Sequence, residues 1–136
     1  MPFYDFAVTI PAGTTKAAPY EKELELTKGI IHQVEVEFPA GCRGYAYLTI
    51  DHYEHQLFPS AKDNAFRSDG YTIAFNEHYP LTKAPFALTA RGWAPDATYD
   101  HTIPVRIGVL EEGIVEPLKG IASLFVKFFK LLGVKS

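Results

Sequence analysis

Five histidines and one cysteine are the residues of this 136-residue chain best suited to hold a metal or supply a nucleophile. Metal binding needs ligands spaced so that they turn toward one point. His52 and His55 are three apart, which on a strand sends them to opposite faces, so they share an ion only if a bulge or turn lies between them. His32 falls on an otherwise apolar strand face, where a hydrogen-bonded core histidine is the ordinary outcome, and His78 and His101 sit at strand ends near tyrosines. Asp63, Asp69, Asp96 and Asp100 could meet on loops and hold calcium, yet their spacing matches no calcium loop, and Asp before Gly, as in Asp69-Gly70, is a turn former. Cys42 with any histidine would make a dyad, but its Gly41-Cys-Arg-Gly44 setting has no helix N-terminus to lower the thiol pKa, and a small residue in a tight turn is expected. No Gly-rich loop leads from a strand into a helix to cradle a phosphate. We therefore expect no catalytic residue, no metal site and no cofactor, in a protein that is not an enzyme.

Eight tyrosines and a single tryptophan, Trp93, offer ring faces on which sugars stack, which opens a carbohydrate- or ligand-binding role. Most of these rings alternate with polar residues inside strands, so cross-strand packing accounts for them without a ligand.

The elements that must carry these groups follow from composition and period. With 47% hydrophobic and 21% charged residues and a net charge of -3, the chain has the balance of one domain with a core of its own, which excludes disorder and fibrous repeats. No apolar run approaches the ~18 residues of a spanning helix, and Met1-Pro-Phe-Tyr-Asp-Phe lacks the basic start of a signal peptide. The expectation is a chain that neither spans a membrane nor is exported by that route, and is cytoplasmic unless it belongs to a particle.

Apolar and polar residues alternate in short runs bounded by Pro, Gly, Asn and Asp. In residues 30–38, Ile30, His32, Val34, Val36 and Phe38 share one face and Gln33, Glu35 and Glu37 the other. Residues 20–27 turn Leu24 and Leu26 inward and Glu21, Glu23 and Glu25 outward. Further runs are 3–10, 45–52, 70–75, 86–93 and 102–109, with gaps too short for crossover helices. One-sided alternation indicates antiparallel strands. The reading is an all-β antiparallel β-sandwich of jelly-roll or immunoglobulin-like type over residues 1–112, in which 59–69 is a solvated loop.

Residues 113–136 differ, with four lysines against one acid, a balance of +3 that leaves -6 on the first 112 residues. That acidic body disfavours nucleic acid. Pro117 near the start, Lys127 and Lys130 toward the end and Gly133 as a cap predict one amphipathic α-helix over 116–132. Its charged residues occupy a narrow arc, and Leu118, Ile121, Leu124, Phe125, Phe128, Phe129 and Leu132 belong to an apolar arc about twice as wide as the ~100° that a helix lying on its own domain needs. These seven residues are the candidate contact for a partner or for copies of the same chain. Packing in the domain's own core is the plainer alternative, and binding at a membrane surface ranks lower because an acidic body is repelled by anionic lipid.

Val8-Thr-Ile-Pro-Ala-Gly-Thr-Thr15, Gly29-Ile-Ile-His-Gln-Val-Glu-Val-Glu-Phe-Pro-Ala-Gly41, His55-Gln-Leu-Phe-Pro59 and Asp69-Gly-Tyr-Thr-Ile-Ala-Phe-Asn-Glu77 together resemble small uncharacterised proteins of phage-like and environmental genomes, over residues 4–110. The resemblance implies a decorating or minor structural protein of a tailed phage, a module that binds a capsid-like lattice as trimers or other homo-oligomers and resides in the virion, and it transfers no site residues. A self-associating structural protein is thus the first expectation, a carbohydrate- or ligand-binding sandwich the second, and a membrane-surface module the third. A chain ending at Glu112 should stay folded and lose its oligomeric mass in light scattering, as should Phe125→Glu with Phe129→Glu. An unchanged mass would exclude the helix as the association element.

Overall fold

The computed structural model describes residues 3–111. The predicted helix, with Leu118, Ile121, Leu124, Phe125, Phe128, Phe129 and Leu132, lies outside the described residues, as does the boundary at 112. Eight strands follow one another: β1 (Phe3–Ile10), β2 (Tyr20–Glu25), β3 (Gly29–Phe38), β4 (Tyr47–His52), β5 (His55–Phe58), β6 (Tyr71–Leu81), β7 (Ala87–Trp93) and β8 (His101–Glu111). They form two four-stranded antiparallel sheets, β1-β8-β3-β6 and β2-β7-β4-β5. The pairs β4·β5, β3·β6, β2·β7 and β1·β8 are those of one long hairpin whose tip is the β4–β5 turn. Two further ladders, β3·β8 and β4·β7, roll that hairpin into two layers.

Period-two alternation decides which faces meet. Val8 and Ile10, Val34, Val36 and Phe38, and Ile103, Val105 and Ile107 from the first sheet are buried against Leu24, Leu48, Ile50, Leu88 and Ala90 from the second. At one edge Phe75 of β6 packs on Phe58 of β5 and on Phe66 of the following loop. At the same edge His52 Nδ1 and the Tyr79 hydroxyl share a hydrogen bond of 2.5 Å, tying β4 to β6. Burial holds His52 below its ordinary pKa and pushes Tyr79 above its own, so both groups favour their neutral forms.

The alternation read from residues 30–38 breaks once. Between Ile31 and Gln33 the register shifts against both neighbours, so that two steps along β3 face one step along β8, from Val109 to Gly108. Ile31, not Ile30, is therefore fully buried, and His32 leaves the core face that its even number assigned it. Its ring lies over Gly108, where a Cβ would come within 2.9 Å of His32 Nε2 and 3.2 Å of Phe3.

Strand β6 runs six residues beyond the predicted 70–75, through polar Asn76-Glu77-His78 and Pro80. It is an edge strand, where a proline's missing N–H costs no ladder bond. The 59–70 loop is fastened, not merely solvated. Leu48 and Phe66 exchange backbone hydrogen bonds of 3.0 and 2.8 Å, and the Gln56 amide lies within 3.0 Å of the carbonyls of Pro59, Ala61 and Asn64. Among the described residues, no helix is long and apolar enough to cross a membrane.

Gly108→Ala should destabilise the domain by about 1–3 kcal/mol, the usual cost of overpacking. Adding His32→Ala should recover much of that loss in a double-mutant cycle read by thermal melting. Additive losses would show that the bulge does not set the glycine.

Candidate ligand-binding cleft

On the outer face of the β2-β7-β4-β5 sheet, alternation should send Thr49 and Asp51 of β4 into water, yet each residue is only 4% exposed. They lie in the floor of a cleft of about 290 Å³. Trp93 and Arg91 of β7 form one wall, Glu54, His55 and Gln56 from the β4–β5 hairpin another, and Lys16 and Lys62 come from loops. The turn that brings the hairpin over is sharp, with Tyr53 in the left-handed region at φ 57°.

Asp51 is the most constrained group here. Arg91 Nη1 donates to its Oδ2 at 3.4 Å, and Arg91 Nε lies 3.3 Å from Glu21 Oε1. The other oxygen, Oδ1, is buried and has no hydrogen-bond partner among the described residues. A buried acceptor left unpaired costs about 1–3 kcal/mol, so such a group commonly awaits water or a ligand. Asp51, Arg91 and Glu54 also line a second cleft of about 360 Å³ with Glu21, Tyr53 and Thr89, so the ion pair separates two adjoining hollows.

Beside it, Tyr47 and Trp93, directly opposed across β4·β7, stack with centroids 5.8 Å apart and planes within 5°. Each carries a cation: Lys16 Nζ is 5.7 Å from the Trp93 ring centroid, and the Arg67 guanidinium 5.0 Å from that of Tyr47. An exposed cation–π contact is worth about 0.5–1 kcal/mol, so Lys16 is readily displaced.

The groups singled out by type in the sequence are mostly elsewhere. His52 and His55 do stand opposite each other across a turn, but His52 Nδ1 is committed to Tyr79 while His55 opens on the cleft. Among the described residues no group of three or more His, Cys, Asp or Glu side chains could hold a metal ion.

Cys42 and His101 meet, both buried, with Sγ 3.7 Å from Nδ1. Burial pushes the thiol pKa up, and Asp69 pushes it further, which is the reverse of what a nucleophile needs. Asp69 anchors the Cys42 turn, accepting the Gly41 N–H at 2.8 Å, and the backbone amides of Arg43, Gly41 and Cys42 hold its carboxyl below the usual range. Asp100 accepts the Ala12 N–H at 2.9 Å. Asp96 lines a cleft of about 330 Å³ at the end of the sandwich with Tyr45 and Tyr99.

No protein-family model matches the chain, and no curated protein matches it. The cleft's own chemistry is what bears on function.

Arg91→Met should lower stability by about 1–2 kcal/mol. Breaking a buried pair costs ~3–5 kcal/mol, and this value is reduced because Arg91 is 40% exposed and screened. Asp51→Asn keeps the shape and removes the buried charge, and should leave the melting temperature unchanged or higher. Equal losses in the two variants would make the pair a structural device.

Proposed function

We propose that this is a non-enzymatic carbohydrate-binding β-sandwich whose ligand lies in the Asp51–Trp93 cleft. The observation that carries the reading is Asp51, which lines a cleft together with Trp93 and whose buried Oδ1 has no hydrogen-bond partner among the described residues. Sugars present what those groups lack. A hydroxyl donates to Oδ1, the apolar C–H face of a pyranose covers the Trp93 ring, and Arg91, held by Asp51 and Glu21, turns its remaining N–H groups toward ligand oxygens. A cleft of about 290 Å³ sits at the small end of ligand pockets, which suits one or two sugar rings better than a large cofactor.

We read the rolled hairpin as a jelly roll, an architecture that lectin domains share with viral capsid domains. Fold alone does not choose between those uses. The wide apolar arc in the sequence of 116–132 favours a second reading: a self-associating virion or other assembly component, in line with the phage-like resemblance. The two readings are compatible if the sheet face binds and the tail assembles.

Because Trp93 is the chain's single tryptophan, its fluorescence reports on the cleft directly. Titration with a panel of mono- and oligosaccharides should give a saturable change for some member. Asp51→Asn should weaken that binding at least tenfold, the ~1.4 kcal/mol expected of a lost buried hydrogen bond. No response to any sugar, with a large oligomeric mass in solution, would leave the assembly reading in its place.

A further inference from the structure

The charges around the cleft do not match those of the body that carries it. The first 112 residues carry a net -6 with nine lysines and arginines, yet Lys16, Lys62 and Arg91 line this one cleft, and Arg67 rests on the adjoining Tyr47 ring. Arg91 is committed to Asp51 and Glu21. Lys16 lies over the Trp93 ring, and neither it nor Lys62 has an ion-pair partner among the described residues. Against these two uncommitted ammonium groups stands one exposed carboxylate in the lining, Glu54.

Three unmet needs therefore share one small space: a hydroxyl-type donor for Asp51 Oδ1, an apolar ring face for Trp93, and negative charge for Lys16 and Lys62. An inorganic anion would serve the lysines but be repelled by Asp51 and Glu54, and would leave the tryptophan bare. A neutral sugar would serve Asp51 and Trp93 and leave the lysines to water. Resting on the cleft reading above, we infer that the ligand is an acidic saccharide, a pyranose bearing a carboxylate or sulfate. Its ring takes the place of Lys16 over Trp93, and its acid group pairs with Lys16 and Lys62. The exposed ammonium gives up a weak cation–π contact and gains a charge-assisted hydrogen bond.

The test uses the full chain and calorimetry alongside Trp93 fluorescence, with trigalacturonate, a sulfated heparin-type disaccharide, and neutral cellotriose and maltotriose as ligands. At 0.1 M salt an acidic member should bind at least tenfold tighter than either neutral one. At 1 M salt, where the screening length falls from ~10 to ~3 Å, that advantage should shrink to under about threefold. Lys16→Met and Lys62→Met, both at exposed loop positions, should each weaken the acidic ligand several-fold and leave the melting temperature unchanged. The carboxylate and sulfate arms distinguish which acid is preferred. Equal, salt-insensitive binding of acidic and neutral sugars would overturn this inference and leave the carbohydrate reading standing. Binding of none would overturn both.

Discussion

The β4·β7 ladder is the interaction on which the rest of the molecule depends. Its register, from Tyr47 opposite Trp93 to Asp51 opposite Thr89, fixes both faces of the sheet at once. Inward it places Leu48, Ile50, Leu88 and Ala90 in the core, and outward it places Thr49, Asp51, Arg91 and Trp93 together. A slip of one residue would exchange the two sets, putting a carboxylate in the core and leucine on the surface. The opposite sheet helps hold the register, because Ile10 packs so closely on Gly92 that a Cβ there would lie 2.5 Å from Ile10 Cδ1. Core packing and cleft geometry are thus one constraint, set by alternate residues of the same two strands.

Loops complete what the ladder begins. Lys16 arrives from the β1–β2 connection, Lys62 and Arg67 from the β5–β6 connection, and Glu54 from the β4–β5 turn. Such segments position a cation usefully only when tethered. The Gln56 amide and the Leu48–Phe66 bridge fasten the second of these loops along β4, where β5 has already ended. The cleft therefore has a floor of strand residues and walls carried by a hairpin turn and tethered loops, the usual placement of binding residues on a scaffold.

Most of the strands were legible because alternation and turn residues are local signals: 3–10 and 86–93 match β1 and β7 to within a residue. The bulge was not legible, since one inserted residue shifts the phase of Ile31 and His32 without altering composition. β5 escaped because four residues carry too little period to register, and the end of β6 because Pro80 reads as a breaker unless its edge position is known. The cleft was the least visible feature. Trp93 was conspicuous by type, but Asp51 was indistinguishable from a solvated strand residue, because its burial comes from a hairpin and loops far away in sequence. Cys42 and His101, the pair that sequence would most readily promote to chemistry, meet 59 positions apart, in surroundings that raise the thiol pKa instead of lowering it.

The two outer faces of the sandwich arrange their charges differently. On the β1-β8-β3-β6 face, Arg106 is central to three carboxylates: it donates to Glu37 at 3.1 Å and lies 3.6 Å from Glu35 and 3.7 Å from Asp5. Those bonds, Glu37 foremost, hold its proton more firmly than usual, and Glu37, Glu35 and Asp5 share this one cation. The charges of this cluster are matched, although pairs of this kind add little to stability, and the same face also buries a polar atom, His32 Nε2, that has no hydrogen-bond partner among the described residues. The β4·β7 face is built from the same residue types, but among the described residues a buried carboxylate oxygen there is unpaired and two ammonium groups beside a tryptophan have no ion-pair partner. Burying an unmatched acceptor carries a cost that an apolar or neutral residue at position 51 would avoid. It is the coincidence of that cost with Trp93 and two lysines in one cleft, and not the unpaired atom alone, that the proposed ligand would answer.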